Sequence, residues 1–126
     1  MYRCPEALFK PSILDKSGPG IHEGIFQTIL KCDLDTRREL YANIVLSGGG
    51  AAFPGMAERL SAELRRLAPS SVKVNVLALA PPEQRLHAAW IGGSILASLS
   101  TFQHMWMTKM EYEEVGSAIV HRRCVS

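Results

Sequence analysis

Three consecutive glycines, Gly48 to Gly50, follow the apolar run Ile44, Val45 and Leu46 and precede Pro54, and that order restricts what the middle of this chain can become. Two of the three residues in the run are β-branched, which suits a short strand; glycine ends it, and proline suits the first turn of a helix. The stretch from Asn43 to Gly55 is therefore expected to be strand, tight loop, helix. Glycines let the main chain approach a ligand with no Cβ in the way. The free N–H groups and dipole of the following helix favour an anion above the loop. An anion or nucleotide site is one reading. A plain tight turn accounts for the same residues, because the spacing matches neither Gly-x-Gly-x-x-Gly nor a phosphate-binding loop closed by Lys-Ser or Lys-Thr.

With 126 residues the chain is one domain or a piece of one. It is 47% hydrophobic and 21% charged, a balance that argues for a folded protein and against disorder. The formal net charge is only +2, and tight basic pairs such as Arg65-Arg66 and Arg122-Arg123 are few. Nucleic-acid binding requires a denser basic footprint, so it is not expected. Cys4, Cys32 and Cys124 are widely spaced and odd in number, which reads as reduced thiols of a cytosolic chain and not as a disulfide framework or metal site. No signal peptide opens the sequence and no apolar run reaches membrane-spanning length, so no membrane role is expected.

Along the chain, Lys10-Pro11 and Ser17-Gly18-Pro19-Gly20 mark a loop that carries Ile13 and Leu14. Apolar residues at 21, 25, 26, 29 and 30 predict a helix closing near Cys32. Thr36 and Glu39 have capping-box spacing and predict the start of a second helix. Met56, Ala57, Leu60, Leu64 and Leu67 form the stripe of a third, with Glu58, Arg59, Glu63, Arg65 and Arg66 facing water. Val72, Val74 and Val76 alternate with polar residues and predict a strand that continues through Leu77 to Ala80, where Pro81-Pro82 stops it. A helix is expected to start within Glu83 to Ala89 and to run from Trp90 to Leu99. Gly92-Gly93 inside it implies that something approaches closely. Phe102, Met105, Trp106 and Met110 follow, then a helix over Glu111 to Glu114 and a final segment, Ile119 to Cys124.

Several blocks, in order, resemble the C-terminal third of actin: Tyr-Ala-Asn-Ile-Val-Leu-Ser-Gly-Gly at 41–49, Phe-Pro-Gly at 53–55, Leu-Ala-Pro-Ser at 67–70, Ala-Pro-Pro-Glu at 80–83, Trp-Ile-Gly-Gly-Ser-Ile-Leu-Ala-Ser-Leu-Ser-Thr-Phe-Gln at 90–103 and Ile-Val-His-Arg at 119–122. The likeness to the actin and actin-like family runs from about Arg3 to the last few residues. It implies an α/β fold, a partial actin-type ATPase fold. Residues of about 1–89 would supply most of the third subdomain, and about 90–126 the C-terminal helices of the first. Such a lobe, with few strands and open edges, is expected to be poorly stable alone.

What the resemblance implies for function is divided. The family's phosphate hairpins and Mg²⁺-positioning acids belong to earlier parts of the actin chain, so the matching residues reach only the adenosine side of an ATP site. Gly48, Gly49 and Phe53 match the loop against the adenosine, with Phe53 where actins usually have tyrosine and Gly50-Ala51-Ala52 in place of a threonine-containing run. Arg85 is offered where the family has an adenine-contacting lysine, in a segment from Lys73 to Trp90 that is longer than in conventional actins. A packing remnant that binds nothing is the competing reading. Leu96, Leu99, Thr101 and Met105 match a hydrophobic cleft that receives helices of actin-binding proteins; helix core is the plainer account. Leu14 matches a plug between filament strands, made polar here by Asp15-Lys16-Ser17. Asp33, Asp35, Arg37 and Arg38 match a polar filament edge, and a solvated helix start explains them equally.

His22, His87, His104 and His121 are scattered, Ser47 is not in a Gly-x-Ser-x-Gly elbow, and Glu111, Glu113 and Glu114 suit a solvated face, so no catalytic or metal-ligating set is expected. The expectation is a truncated actin-like structural or scaffolding protein of the cytoplasm and cytoskeleton. It would act through contacts with actin-family subunits or actin-binding proteins, with no enzyme activity and no cofactor of its own. ATP and Mg²⁺ would enter only if earlier family segments completed the site. The alternatives are a fragment of a filament-forming ATPase and a small regulatory module that binds actin regulators.

Overall fold

The computed structural model of the protein describes residues 3–79 and 81–123. It is an α/β structure whose chain divides into two compact units, Met1–Ala88 and Ala89–Ser126. The first unit begins with α1 (Arg3–Phe9), a 3-10 turn at Pro11–Leu14, α2 (Ile21–Lys31) and α3 (Leu34–Ala42). A βαβ unit follows: β1 (Ile44–Leu46), the glycine loop, α4 (Met56–Leu67) and β2 (Val76–Ala78). The strands are parallel, pairing Ile44 with Val76, Val45 with Leu77 and Leu46 with Ala78.

The core lies where α4 crosses the strands. Met56, Leu60 and Leu64 recur every fourth residue and so share one helix face. They pack with Phe9, Ile29, Tyr41, Leu46, Ala51 and Val74. Leu60 and Leu64 are completely buried, each worth about 1.5–3 kcal/mol of transfer free energy. The stripe predicted for this helix is its buried face, apart from Leu67, which is exposed at the C-terminal end. On α2 the expected face is likewise inward at Ile21, Ile25, Phe26 and Ile29, with Leu30 outside.

Several boundaries differ from expectation. Asp33, not Thr36, is the N-cap of α3, so Thr36 is already inside the first turn, where its hydroxyl donates to the Asp33 carbonyl at 2.9 Å. The second strand is three residues, not the run from Val72. Just before it, Asn75 bonds to the end of α3 and the start of β1: its N–H donates to the Tyr41 carbonyl at 2.9 Å, its side chain to the Ala42 carbonyl at 3.1 Å, and its own carbonyl accepts the Ile44 N–H at 3.2 Å. Ala80, the expected end of that strand, lies outside the described residues. The helix expected within Glu83 to Ala89 opens as a 3-10 turn, Pro82–His87.

The second unit contains α5 (Ala88–Ser98), whose first residue belongs to the first unit, a 3-10 turn at Ser100–Met105, α6 (Lys109–Val115), a turn at Gly116–Ile119 and α7 (Val120–Arg123). Thr108 and Glu111 close a reciprocal cap on α6. The Glu111 N–H donates to the Thr108 hydroxyl at 3.2 Å, and the Thr108 N–H donates to the Glu111 carboxylate at 2.8 Å. α5 is apolar on nearly every face yet has no buried residue. Nothing lies within 4 Å of a Cβ built at Gly92 or Gly93, so the close approach expected there is not made among the described residues.

Candidate functional site

The glycine loop leaves the C-terminal end of β1, and its shape depends on backbone conformations that suit glycine. Gly48 has φ of +89°, and Gly55, the N-cap of α4, has φ of +77°. Pro54, expected at the helix start, stands in the turn before it. Between them Gly49–Ala51 form one 3-10 turn, closed by the Ala51 N–H donating to Gly48 O and the Ala52 N–H to Gly49 O, both at 3.1 Å. The 3-10 turn at Pro82–His87 packs against this loop. Leu86 reaches within 3.2 Å of where a Cβ on Gly49 would stand.

Arg85 is turned inward and only 7% exposed. Its Nη1 donates to the Ala51 carbonyl at 2.8 Å, its Nε donates to the Leu79 carbonyl at 2.9 Å, and its own carbonyl accepts the Gly48 N–H at 2.8 Å. The structure therefore brings Gly48 and Arg85 together, with the guanidinium bonded to protein carbonyls beneath the loop. Phe53 goes elsewhere. Its half-exposed ring lines a cavity of about 190 Å³ with Pro5, Glu6, Phe9, Met56 and Arg59, and neither Gly48, Gly49 nor Arg85 is on that wall.

Beside this cavity a chain of charges links α1 to α4. Arg59 donates to both carboxylate oxygens of Glu6 at 3.2 Å and to Glu63 at 2.8 Å, and Arg66 donates to Glu63 at 3.0 Å. The Arg59 guanidinium also sits 4.9 Å from the centre of the Phe9 ring. Its hydrogen bonds to Glu6, with those to Glu63, hold its pKa above the usual arginine value despite partial desolvation. Burial works to raise the Glu63 carboxyl, but the combined hydrogen bonds and charges of Arg59 and Arg66 outweigh it and hold the pKa below the usual range. Arg59 and Glu63 thus do not simply face water, because Glu63 is enclosed by its two arginines.

The remaining expected residues are on other elements. Leu96, Leu99, Thr101 and Met105 are all exposed, on α5 and the turn after it. Leu14 is exposed at the end of its 3-10 turn, where Asp15 adopts the left-handed conformation. Asp33 and Asp35 are exposed at the start of α3, as is Arg38. Arg37 instead closes the end of α2 by donating to the carbonyls of Cys32 at 2.9 Å and Leu30 at 2.8 Å. Cys4 and Cys32 are free thiols; Cys124 lies outside the described residues. His22 rests against the Phe9 ring, with Nδ1 buried and unpartnered. Among the described residues no cluster of three or more His, Cys, Asp or Glu could hold a metal ion, and no helix is long and apolar enough to cross a membrane.

Two features carry no mark in the sequence: the inward turn of Arg85, expected there only as a stand-in for a base-contacting lysine, and an open apolar groove of about 510 Å³ between α2, the end of α3 and β1, lined by Ile21, Ile25, Ile29, Leu40 and Ile44. The first arises from a contact between residues 34 apart in the chain, the second from the folding back of the consecutive α2, α3 and β1. In a comparison with known protein families, the model described as Actin matches residues 1–125.

Proposed function

The chain belongs to the actin family, and from that we propose that it acts through protein–protein contacts, as a structural or scaffolding element of an actin-type assembly in the cytoskeleton. We assign its first unit to the family's third subdomain and its second to the C-terminal helices of the first. Its contribution to nucleotide recognition is the adenosine-side wall formed by the glycine loop, and it does not hydrolyse ATP by itself. The competing assignment, a fragment of an ATP-binding, filament-forming actin-type ATPase, differs in requiring the family's phosphate-binding segments to precede these residues in the same protein.

The carrying observation is α5. A helix apolar on all sides is ordinarily enclosed, whereas Trp90 is 75% exposed here and Ile95, Leu96 and Leu99 are also open to solvent. Methionine and aromatic residues after it, Met105 and Trp106, extend the apolar surface. Surface of this kind suits an adaptable groove for an amphipathic helix.

The test is capture of an amphipathic helical peptide of the kind that occupies actin-type clefts, followed by fluorescence anisotropy on the full chain. Leu99→Asp, which places a charge on the open face at a half-exposed position, is expected to weaken binding at least about tenfold. Equal binding by wild type and Leu99→Asp, or none by wild type, removes the α5 surface as the contact site.

A further inference from the structure

We propose that Arg85 is the positioning residue of the glycine loop, a buried staple that sets the surface the loop presents to a nucleoside; this rests on the adenosine-side assignment above. A run of three glycines loses more freedom on ordering than any other three residues, so its shape must be imposed from outside. Beyond the loop's own two turn bonds, one residue fastens it at both ends. The loop's entrance is fastened by the Gly48 N–H to the Arg85 carbonyl at 2.8 Å, and its exit by the Arg85 guanidinium to the Ala51 carbonyl at 2.8 Å. The bond from Nε to Leu79 at 2.9 Å anchors the same side chain to the residue following β2.

These three bonds span the region just beyond Leu46 and Ala78, the C-terminal residues of the two parallel strands. Open parallel sheets place ligands at that end. The planar guanidinium supplies two donors in a fixed fork, and an ammonium group on a flexible stem does not reproduce it. Because Arg85 is turned inward while Leu86 is exposed beside Gly49, a ligand meets glycine backbone and Leu86, not the cation. Arg85 therefore acts on affinity through loop shape alone.

That distinction fixes the experiment, done by amide hydrogen exchange and NMR titration on the full chain. In both Arg85→Lys and Arg85→Met, exchange at Ala51 and Ala52, beside the carbonyl that loses the guanidinium, is expected to accelerate at least about tenfold, the scale of a lost hydrogen bond to an ionised group, whereas Gly48, bonded to the main-chain carbonyl of residue 85, should keep most of its protection. Leu60 and Leu64 amides in α4 should stay within about twofold. Adding methylguanidinium to Arg85→Ala should restore loop protection. Unchanged loop exchange in the variants, or proportional loss in α4, overturns the staple, and where Arg85→Met does not fold, Arg85→Lys and the rescue decide the same point. In the ligand arm, adenosine and AMP titrated into wild type should shift loop amides, and Arg85→Lys should weaken both by the same factor. A selective loss for AMP overturns the positioning role by showing that the cation touches phosphate. Wild-type loop amides that ignore adenosine remove the nucleoside assignment, while the exchange arm still judges the staple.

Discussion

Gly20 shows how much a single missing methyl group can decide. Its φ of −67° is open to any residue, yet a Cβ there would run into the Phe9 carbonyl oxygen and come within 2.8 Å of the His22 ring. The Gly20 N–H also donates to the Glu23 carboxylate at 3.0 Å, fixing the entry of α2. Gly20→Ala is expected to destabilise the protein by about 1–3 kcal/mol, the usual penalty of overpacking. Gly24, inside the same helix with nothing within 4 Å, provides the control. Gly24→Ala should be neutral or stabilising by up to about 1 kcal/mol, since alanine is the better helix former. Urea midpoints of the two variants give the answer, and equal effects would refute the clash. In the sequence both are simply glycines, one in a loop signal and one in a helical pattern. Only the return of α1 against α2 separates them, and no local pattern encodes that return.

At the scale of elements, local chemistry was readable where it acts within one turn or one face. The strand, loop and helix order around Gly48 to Gly50, and the inward face of α4, follow from β-branching, glycine and four-residue spacing. Capping spacing proved ambiguous. Thr36 and Glu39 have the same Thr-x-x-Glu pattern as Thr108 and Glu111, but only the second pair forms the box, because Asp33 already opens α3. The charged face of α4 hid a link to α1, since Glu6 and Arg59 stand 53 residues apart. That link predicts a pH dependence. Glu63 titrates lower in the folded chain than its ordinary value of 4.5, so its contribution is complete above that value and is lost as pH falls through the depressed folded pKa. Glu63→Gln should therefore destabilise by about 1 kcal/mol near neutral pH, with little of it from the exposed Arg66 end, and the difference should narrow progressively as pH falls below 4.5. Chemical denaturation of both proteins across that range is the measurement, and a gap that stays constant to pH 3 would contradict the assignment.

For the whole molecule, the family and the α/β class were legible from residue blocks, whereas the site was legible only as a list. Gly48 and Arg85 meet, Phe53 faces a separate cavity, and the α5 residues lie in the other unit. The binding arithmetic follows from that dispersal. Stacking a base on one ring yields about 1–3 kcal/mol, whereas even a millimolar Kd requires about 4 kcal/mol. Charge-assisted phosphate contacts would have to supply the rest, and hydrolysis further requires a water held in line with the terminal phosphate. Isothermal titration of the purified chain with Mg-ATP should give a Kd weaker than about 1 mM, with no phosphate release. Micromolar affinity or turnover would reverse the proposal.

The staple beneath the loop also sets an order of events during synthesis. Ala51 and the arginine that holds it are 34 residues apart, and the arginine comes second. A ribosome adding about 5–20 residues per second releases the glycines roughly 2–7 s before the group that shapes them. Until residues 76–78 emerge β1 has no β2 to pair with, and for the whole interval the loop has neither its entrance nor its exit fastened. The loop therefore takes its final shape only once residue 85 has emerged, so a nascent chain stalled before that point presents a strand edge and three unrestrained glycines to the chaperones around it.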